Sequence, residues 1–209
     1  MKERIHAFIE QRLAAFVQYS AERAGPSVER FLATSARCFE CFQGWDAAGA
    51  AEQAAIAEAA GVSPVALYGA TNMTDMRDVL LLPGATSDEG CTSLLVPAAL
   101  TTGGNLMLGQ TWDLNPADLD FVVAIHRRPL AGPETWSVTC AGALSLIGMS
   151  SLGVAVGTTN IKTRRSRVGV GYLSLLHRAI RAASSAEAAE LVRAAPRAAA
   201  HTYWLADAE

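Results

Sequence analysis

Charge is scarce in this sequence and unevenly placed, and the scarcity excludes several function classes. Only 18% of the 209 residues are charged and only 7% are aromatic, with a net charge of −3. No global field therefore favours nucleic acid or a membrane surface. Cysteine is sparse too. Cys38, Cys41, Cys91 and Cys140 in a chain of this length are not a disulfide framework. The opening Met1-Lys-Glu-Arg-Ile-His lacks the apolar run of a signal peptide, so a reducing cytoplasm is the expected compartment. The chain shows no internal repeat, no GxSxG elbow, no P-loop and no GxGxxG fingerprint.

Two stretches, 90–112 and 135–161, carry no charge and are long enough to span a bilayer. The first holds Pro97 and Gly103-Gly104, and the second holds Ser150-Ser151 among several glycines. Turn residues in mid-stretch predict buried hairpins rather than membrane helices. The charge balance also changes along the chain, from −5 over residues 1–90 to +2 over 91–209. That contrast marks two segments: a helical region at 1–90 and a sheet-plus-helix region at 91–209, forming one structural unit.

Within 2–23 an apolar stripe of Ile5, Ile9, Leu13, Phe16 and Val17 predicts an amphipathic helix. Ser27 is the predicted N-cap of a second helix, running to about Phe42. A third helix fills 47–60 and stops at Gly61. Ser63-Pro64 opens another, expected to end near Asp75. After Leu82-Pro83-Gly84 short apolar runs predict strands at Thr92–Pro97, Asn105–Thr111, Phe121–Arg127, Thr135–Ala141, Leu144–Met149 and Gly153–Thr158. Helical pattern returns at 169–182 and 185–194, and Thr202–Leu205 opens a further strand. Helices, then antiparallel strands, then helices predict an α+β fold.

Asp88-Glu89-Gly90-Cys91-Thr92-Ser93 lies where helical pattern gives way to strand pattern. A thiol following glycine can attack the glycine carbonyl without steric obstruction. An N-to-S acyl shift and hydrolysis would then free the Cys91 α-amine. With an ordinary pKa of about 7.7–8.0, that amine can take the proton from its own thiol. The resulting thiolate would attack an amide or thioester carbonyl and form an acyl-enzyme. A buried, inert strand cysteine is the more common fate of any single Cys. The following hairpin, Val96-Pro97 to Leu108-Gly109-Gln110-Thr111-Trp112-Asp113, brings Asp113 back beside the start of the first strand.

Asp-Glu-Gly-Cys-Thr-Ser with Gly-Gln-Thr-Trp-Asp resembles the acyl-coenzyme A:6-aminopenicillanic-acid acyltransferase family, cysteine N-terminal-nucleophile hydrolases distantly similar to penicillin V acylases and choloylglycine hydrolases. Ile147-Gly148-Met149-Ser150-Ser151-Leu152-Gly153-Val154-Ala155-Val156 and Gly169-Val170-Gly171 agree with it. The resemblance covers most of the chain. It implies the four-layer αββα sandwich, here incomplete, with residues 1–90 as pro-segment. It also implies autocleavage between Gly90 and Cys91, Cys91 as nucleophile and Asp113 as the aspartate that orients it. Gln110 falls where wider relatives carry arginine, and Thr92 is adjacent. The family's oxyanion-stabilising asparagine lies beyond Glu209, and Asn160 is not assigned that role. The chain thus reads as a fragment or shortened member. The expected function is Cys91-dependent amide hydrolysis or acyl transfer on a small-molecule amide or acyl donor. The alternative is an inactive remnant of the fold that binds a ligand or partner. No cofactor is implied, acyl-coenzyme A would be a substrate, and a homo-oligomer is compatible with this reading.

Cys38-Phe-Glu-Cys41 is a lone CxxC without partner cysteines or suitably spaced histidines, which favours helix packing over zinc. A Cys-His pairing of Cys91 with His126 or His201 stays open, because spatial adjacency is invisible in sequence. Lys162, Arg164, Arg165 and Arg167 form a basic cluster, with no acid from 135 to 186. A solvated loop is the plainer explanation of the cluster. Arg164 and Arg165 contacting a substrate carboxylate or phosphate, such as that of coenzyme A, is the sharper one. Nucleic acid is not expected, since the cluster is short and lacks interleaved aromatics.

Overall fold

The computed structural model describes residues 1–81, 91–161, 163 and 165–207. Five helices come first: α1 (Lys2–Ala21), α2 (Val28–Trp45), α3 (Ala47–Ala60), α4 (Pro64–Thr71) and α5 (Met73–Leu81). Their ends follow local chemistry. Ser27 Oγ accepts from Arg30 N at 3.3 Å and Ser63 Oγ from Ala66 N at 3.3 Å, satisfying donors that a helix start leaves orphaned. Gly61, at φ +72°, closes α3 in the left-handed region that other residues enter at a cost. The single helix expected from Ser63 to about Asp75 is instead two. Asn72 leaves helical geometry, and its amide turns back to donate to the Tyr68 carbonyl at 3.0 Å.

Strands β1 (Ser93–Val96) and β2 (Met107–Gln110) form an antiparallel hairpin. Strands β3 (Val122–Arg127), β4 (Thr135–Cys140), β5 (Ile147–Ser150), β6 (Ala155–Asn160) and β7 (His201–Ala206) make a five-stranded sheet in that spatial order, every pairing antiparallel. Helices α6 (Tyr172–Ala179) and α7 (Ser185–Ala194) connect β6 to β7. The fold is α+β with antiparallel sheets. Among the described residues no helix is long and apolar enough to cross a membrane.

Two apolar clusters hold the helices on one face of the sheet. Ile5, Phe8 and Leu67 pack with Leu146, Val156 and Leu176, while Phe16, Phe31 and Tyr68 pack with Leu144, Val170 and Leu175. Residues from before and after position 90 thus share both cores, and α6 contributes to each. Burial of each large side chain contributes about 1.5–3 kcal/mol. The opposite face of the sheet is different: cross-strand neighbours Trp136 and Met149, with Val138, remain exposed.

A polar lock joins α3, α6 and the β4–β5 turn. Ser145 Oγ is 3.1 Å from His177 Nδ1, Glu52 Oε2 is 3.1 Å from His177 Nε2, and Glu52 Oε1 accepts from Arg127 Nε at 2.7 Å. Ser145 is fully buried, which denies this Ser-His-Glu grouping any substrate. Burial alone would push the Glu52 carboxyl up, but His177 and Arg127 outweigh it and hold the group at about 2. Burial also holds His177 below its ordinary 6.5. A carboxyl held low contributes stability above its unfolded value of 4.5 and loses it as pH falls towards 2. The buried imidazole acts in the same direction below about pH 6.5. Glu52→Gln should therefore flatten the acid limb of the urea-midpoint profile below about pH 4.5; an acid limb as steep as the wild type's would contradict the assignment.

Candidate functional site

The β1–β2 hairpin delivers Cys91 to the sheet. Ser93 pairs with Gln110, and the ladder continues outward as Thr111 N donates to the Thr92 carbonyl at 2.9 Å and Thr92 N donates to Thr111 Oγ1 at 2.9 Å. Cys91, one residue further, is half-buried and opens on a small cavity of about 70 Å³. Gln110, Trp112, Asp113, Thr158, Asn160, Tyr172 and His201 share its wall.

Gln110 fixes the hairpin in place. β5 pairs with β6 only as far as Val156, which leaves the Thr158 backbone open on that edge. The Gln110 side chain fills the gap like a short strand. Its Nε2 donates to the Thr158 carbonyl at 2.5 Å, and its Oε1 accepts from Thr158 N at 3.1 Å and from Trp204 Nε1 at 2.7 Å. Gly157 makes room for the indole, since a Cβ there would lie 2.1 Å from Trp204. The amide is thus committed to positioning, a role that arginine could not fill because it has no acceptor. Asp113 lies just beyond, exposed, on the walls of this cavity and of a neighbouring one. Thr92 is occupied in the ladder and does not line the cavity.

His201 and Asn160 face each other across the β6–β7 pair. His201 Nε2 is 2.6 Å from Asp75 Oδ1, with only 2% and 1% of the two side chains exposed. Asp75 Oδ2 accepts from Tyr172 N at 2.8 Å, and Asn72 Oδ1 accepts from Leu173 N at 3.3 Å. These acceptors from α4–α5 supply the cap that Gly171 cannot give α6. The Tyr172 ring stacks on His201 at 4.5 Å. Burial, followed by the Asp75 charge, pushes the phenols of Tyr172 and Tyr203 well above their ordinary value, so both stay neutral. Around this site His201 Nδ1, Asn160 Oδ1 and Tyr203 Oη are buried without a hydrogen-bond partner among the described residues.

No family model and no curated protein matches the chain. The chemistry of the site therefore rests on its own geometry.

The structure brings Cys91, Gln110 and Asp113 together as the sequence suggested; Gly90 and Arg164 lie outside the described residues. Arg165 is exposed and lines a separate cavity of about 650 Å³ with Arg167, Arg193 and Arg197. His201 belongs to the wall of both cavities. Asp75, Asn72 and Tyr172 escaped sequence reading, because a lone aspartate in a helix carries no signal of what it caps. Two of the other cysteines are unlike Cys91. Cys38 and Cys140 are buried, and burial pushes each thiol up to about 11; Cys41 is half-buried in α2, and all are free. Among the described residues no group of three His, Cys, Asp or Glu is arranged to hold a metal.

Asp75→Ala orphans a buried imidazole N–H and the first N–H of α6, and should cost about 3–5 kcal/mol in urea unfolding; a loss below 1 kcal/mol would contradict the hub role. Gln110→Ala removes three hydrogen bonds at a half-buried site and should cost about 1–3 kcal/mol, whereas a neutral effect would mean that the hairpin is held elsewhere.

Proposed function

We propose that the chain is a cysteine amide hydrolase or acyltransferase that works through an acyl-enzyme on Cys91. One observation carries this reading: the half-buried thiol at the head of β1 opens on a cavity whose other walls hold Asp113, Asn160 and His201. A thiol that opens on a cavity with a carboxylate on its wall has room for an acyl group and, once its own α-amine is freed, a base within the same residue. Self-cleavage at Gly90–Cys91 follows the same reading, since a freed α-amine would sit at this cavity. The αββα sandwich of N-terminal-nucleophile hydrolases is supported by helices on one face of the sheet and by Trp136, Val138 and Met149 on the other, a surface suited to a second sheet. The acyl donor is a small molecule, and Arg165, Arg167, Arg193 and Arg197 favour one that carries a phosphate or carboxylate, such as acyl-coenzyme A. The same exposed apolar face favours the competing reading, a binding protein built on this fold.

Mass spectrometry of the native protein separates the two readings. The expected result is two pieces, the second beginning at Cys91, that co-elute in size exclusion because residues before and after position 90 share both cores. An activated thioester should then add one acyl group to the Cys91 peptide. An uncut chain whose Cys91 is never acylated would overturn the enzyme reading in favour of the binding protein.

A further inference from the structure

We propose that the cavity enclosed by the β3–β4 loop, α3, α6 and α7 binds a small amphipathic carboxylic acid, with Arg128 and Arg178 holding its carboxylate. The site is separate from Cys91 and does not rest on the acyl-enzyme reading.

The cavity measures about 660 Å³ and shares no wall residue with the cavity at Cys91 or with the arginine-lined one. That volume suits a small organic molecule rather than a few ordered waters. Pro129, Ala131, Pro133, Ala182 and Leu191 give it apolar wall. The rim is preformed. Two prolines fix φ on either side of Gly132, which turns the loop at φ +97°, where a side chain would be strained. A loop ordered in advance loses little entropy when a ligand arrives.

Four guanidiniums and three carboxylates line the wall, an excess of one positive charge. Burial keeps the His177 imidazole below its ordinary value, so it adds no charge at neutral pH. The carboxylates are already committed. Asp46 Oδ1 accepts from Gly49 N at 3.1 Å and Oδ2 from Arg181 Nη2 at 2.7 Å. Glu52 is engaged by Arg127 and His177. Glu187 Oε2 accepts from Ala183 N at 2.8 Å, completing the α7 cap that Ser184 begins.

The other two guanidiniums are held by weaker partners. Arg178 donates to the neutral Trp45 carbonyl and lies over the Trp45 ring at 4.5 Å. Arg128 is 74% exposed and 4.0 Å from Glu134. Their spare donors match one carboxylate. A phosphate dianion would carry more charge than the excess and face the three acids. An amine would face two guanidiniums that no wall carboxylate neutralises. The apolar wall selects a hydrocarbon body behind the carboxylate.

The test is isothermal titration calorimetry of the full chain with sodium octanoate, and with octanol and octylamine as controls. Octanoate should fill one saturable site, with both controls at least about tenfold weaker. Arg178→Gln should weaken octanoate about tenfold, and the more exposed Arg128→Gln about threefold. Absence of saturable binding, or octanol binding as tightly as octanoate, overturns the proposal. So do variants that bind as the wild type does, since the acid would then lie elsewhere, as on the exposed face of Trp136 and Met149. If Arg178→Gln does not fold, Arg128→Gln decides alone. Cys91→Ser should bind octanoate like the wild type; a loss there would place the acid at Cys91 and overturn this site. Failure to acylate Cys91, by contrast, bears on the nucleophile reading alone.

Discussion

A carboxylate taken out of water must be surrounded by donors, and at Asp75 those donors come from parts of the chain far apart in sequence. Oδ2 receives the first N–H of α6 and Oδ1 faces the imidazole of β7. Glycine at the start of α6 offers no cap of its own, so the helix depends on this acceptor and on Asn72. One side chain therefore sets where α6 begins, how β7 is held against the helices and which nitrogen of His201 is free. The cavity beside Cys91 inherits its geometry from that arrangement.

The second constraint acts in the plane of the sheet. β5 and β6 separate after a short pairing, which exposes two backbone groups at Thr158. Nature's usual answer is another strand; here a single glutamine side chain does it and carries the β1–β2 hairpin with it. Trp204 and the room left by Gly157 lock the same amide. The position of the thiol is thus a consequence of backbone hydrogen-bond accounting, several residues away from the thiol itself.

Much of the fold was legible in the sequence because the signals were local. Ser27, Ser63 and Gly61 announced helix ends through backbone groups they satisfy themselves, and alternating apolar runs between turn residues announced the strands. The break at Asn72 was not legible, because its amide works on Tyr68 and α6 together. For the site, the hairpin spacing brought Cys91, Gln110 and Asp113 into one neighbourhood, but the chemical role of Gln110 was hidden in a pairing with β6. His201 was one of two histidines left open. Its partner Asp75 lies on the far side of the helix-to-strand change, and nothing short of the fold could join them.

Under the proposed function one thiol of four is the nucleophile, while the others serve packing. Burial pushes Cys38 and Cys140 up to about 11, whereas Cys91 opens on a cavity. The most direct measurement is peptide-resolved alkylation of the folded protein with iodoacetamide at neutral pH. Cys91 should label first, at least tenfold faster than Cys38 and Cys140, as an open thiol should beside two whose ionisation is suppressed by burial. A silent Cys91, or one no faster than the buried pair, would contradict the account.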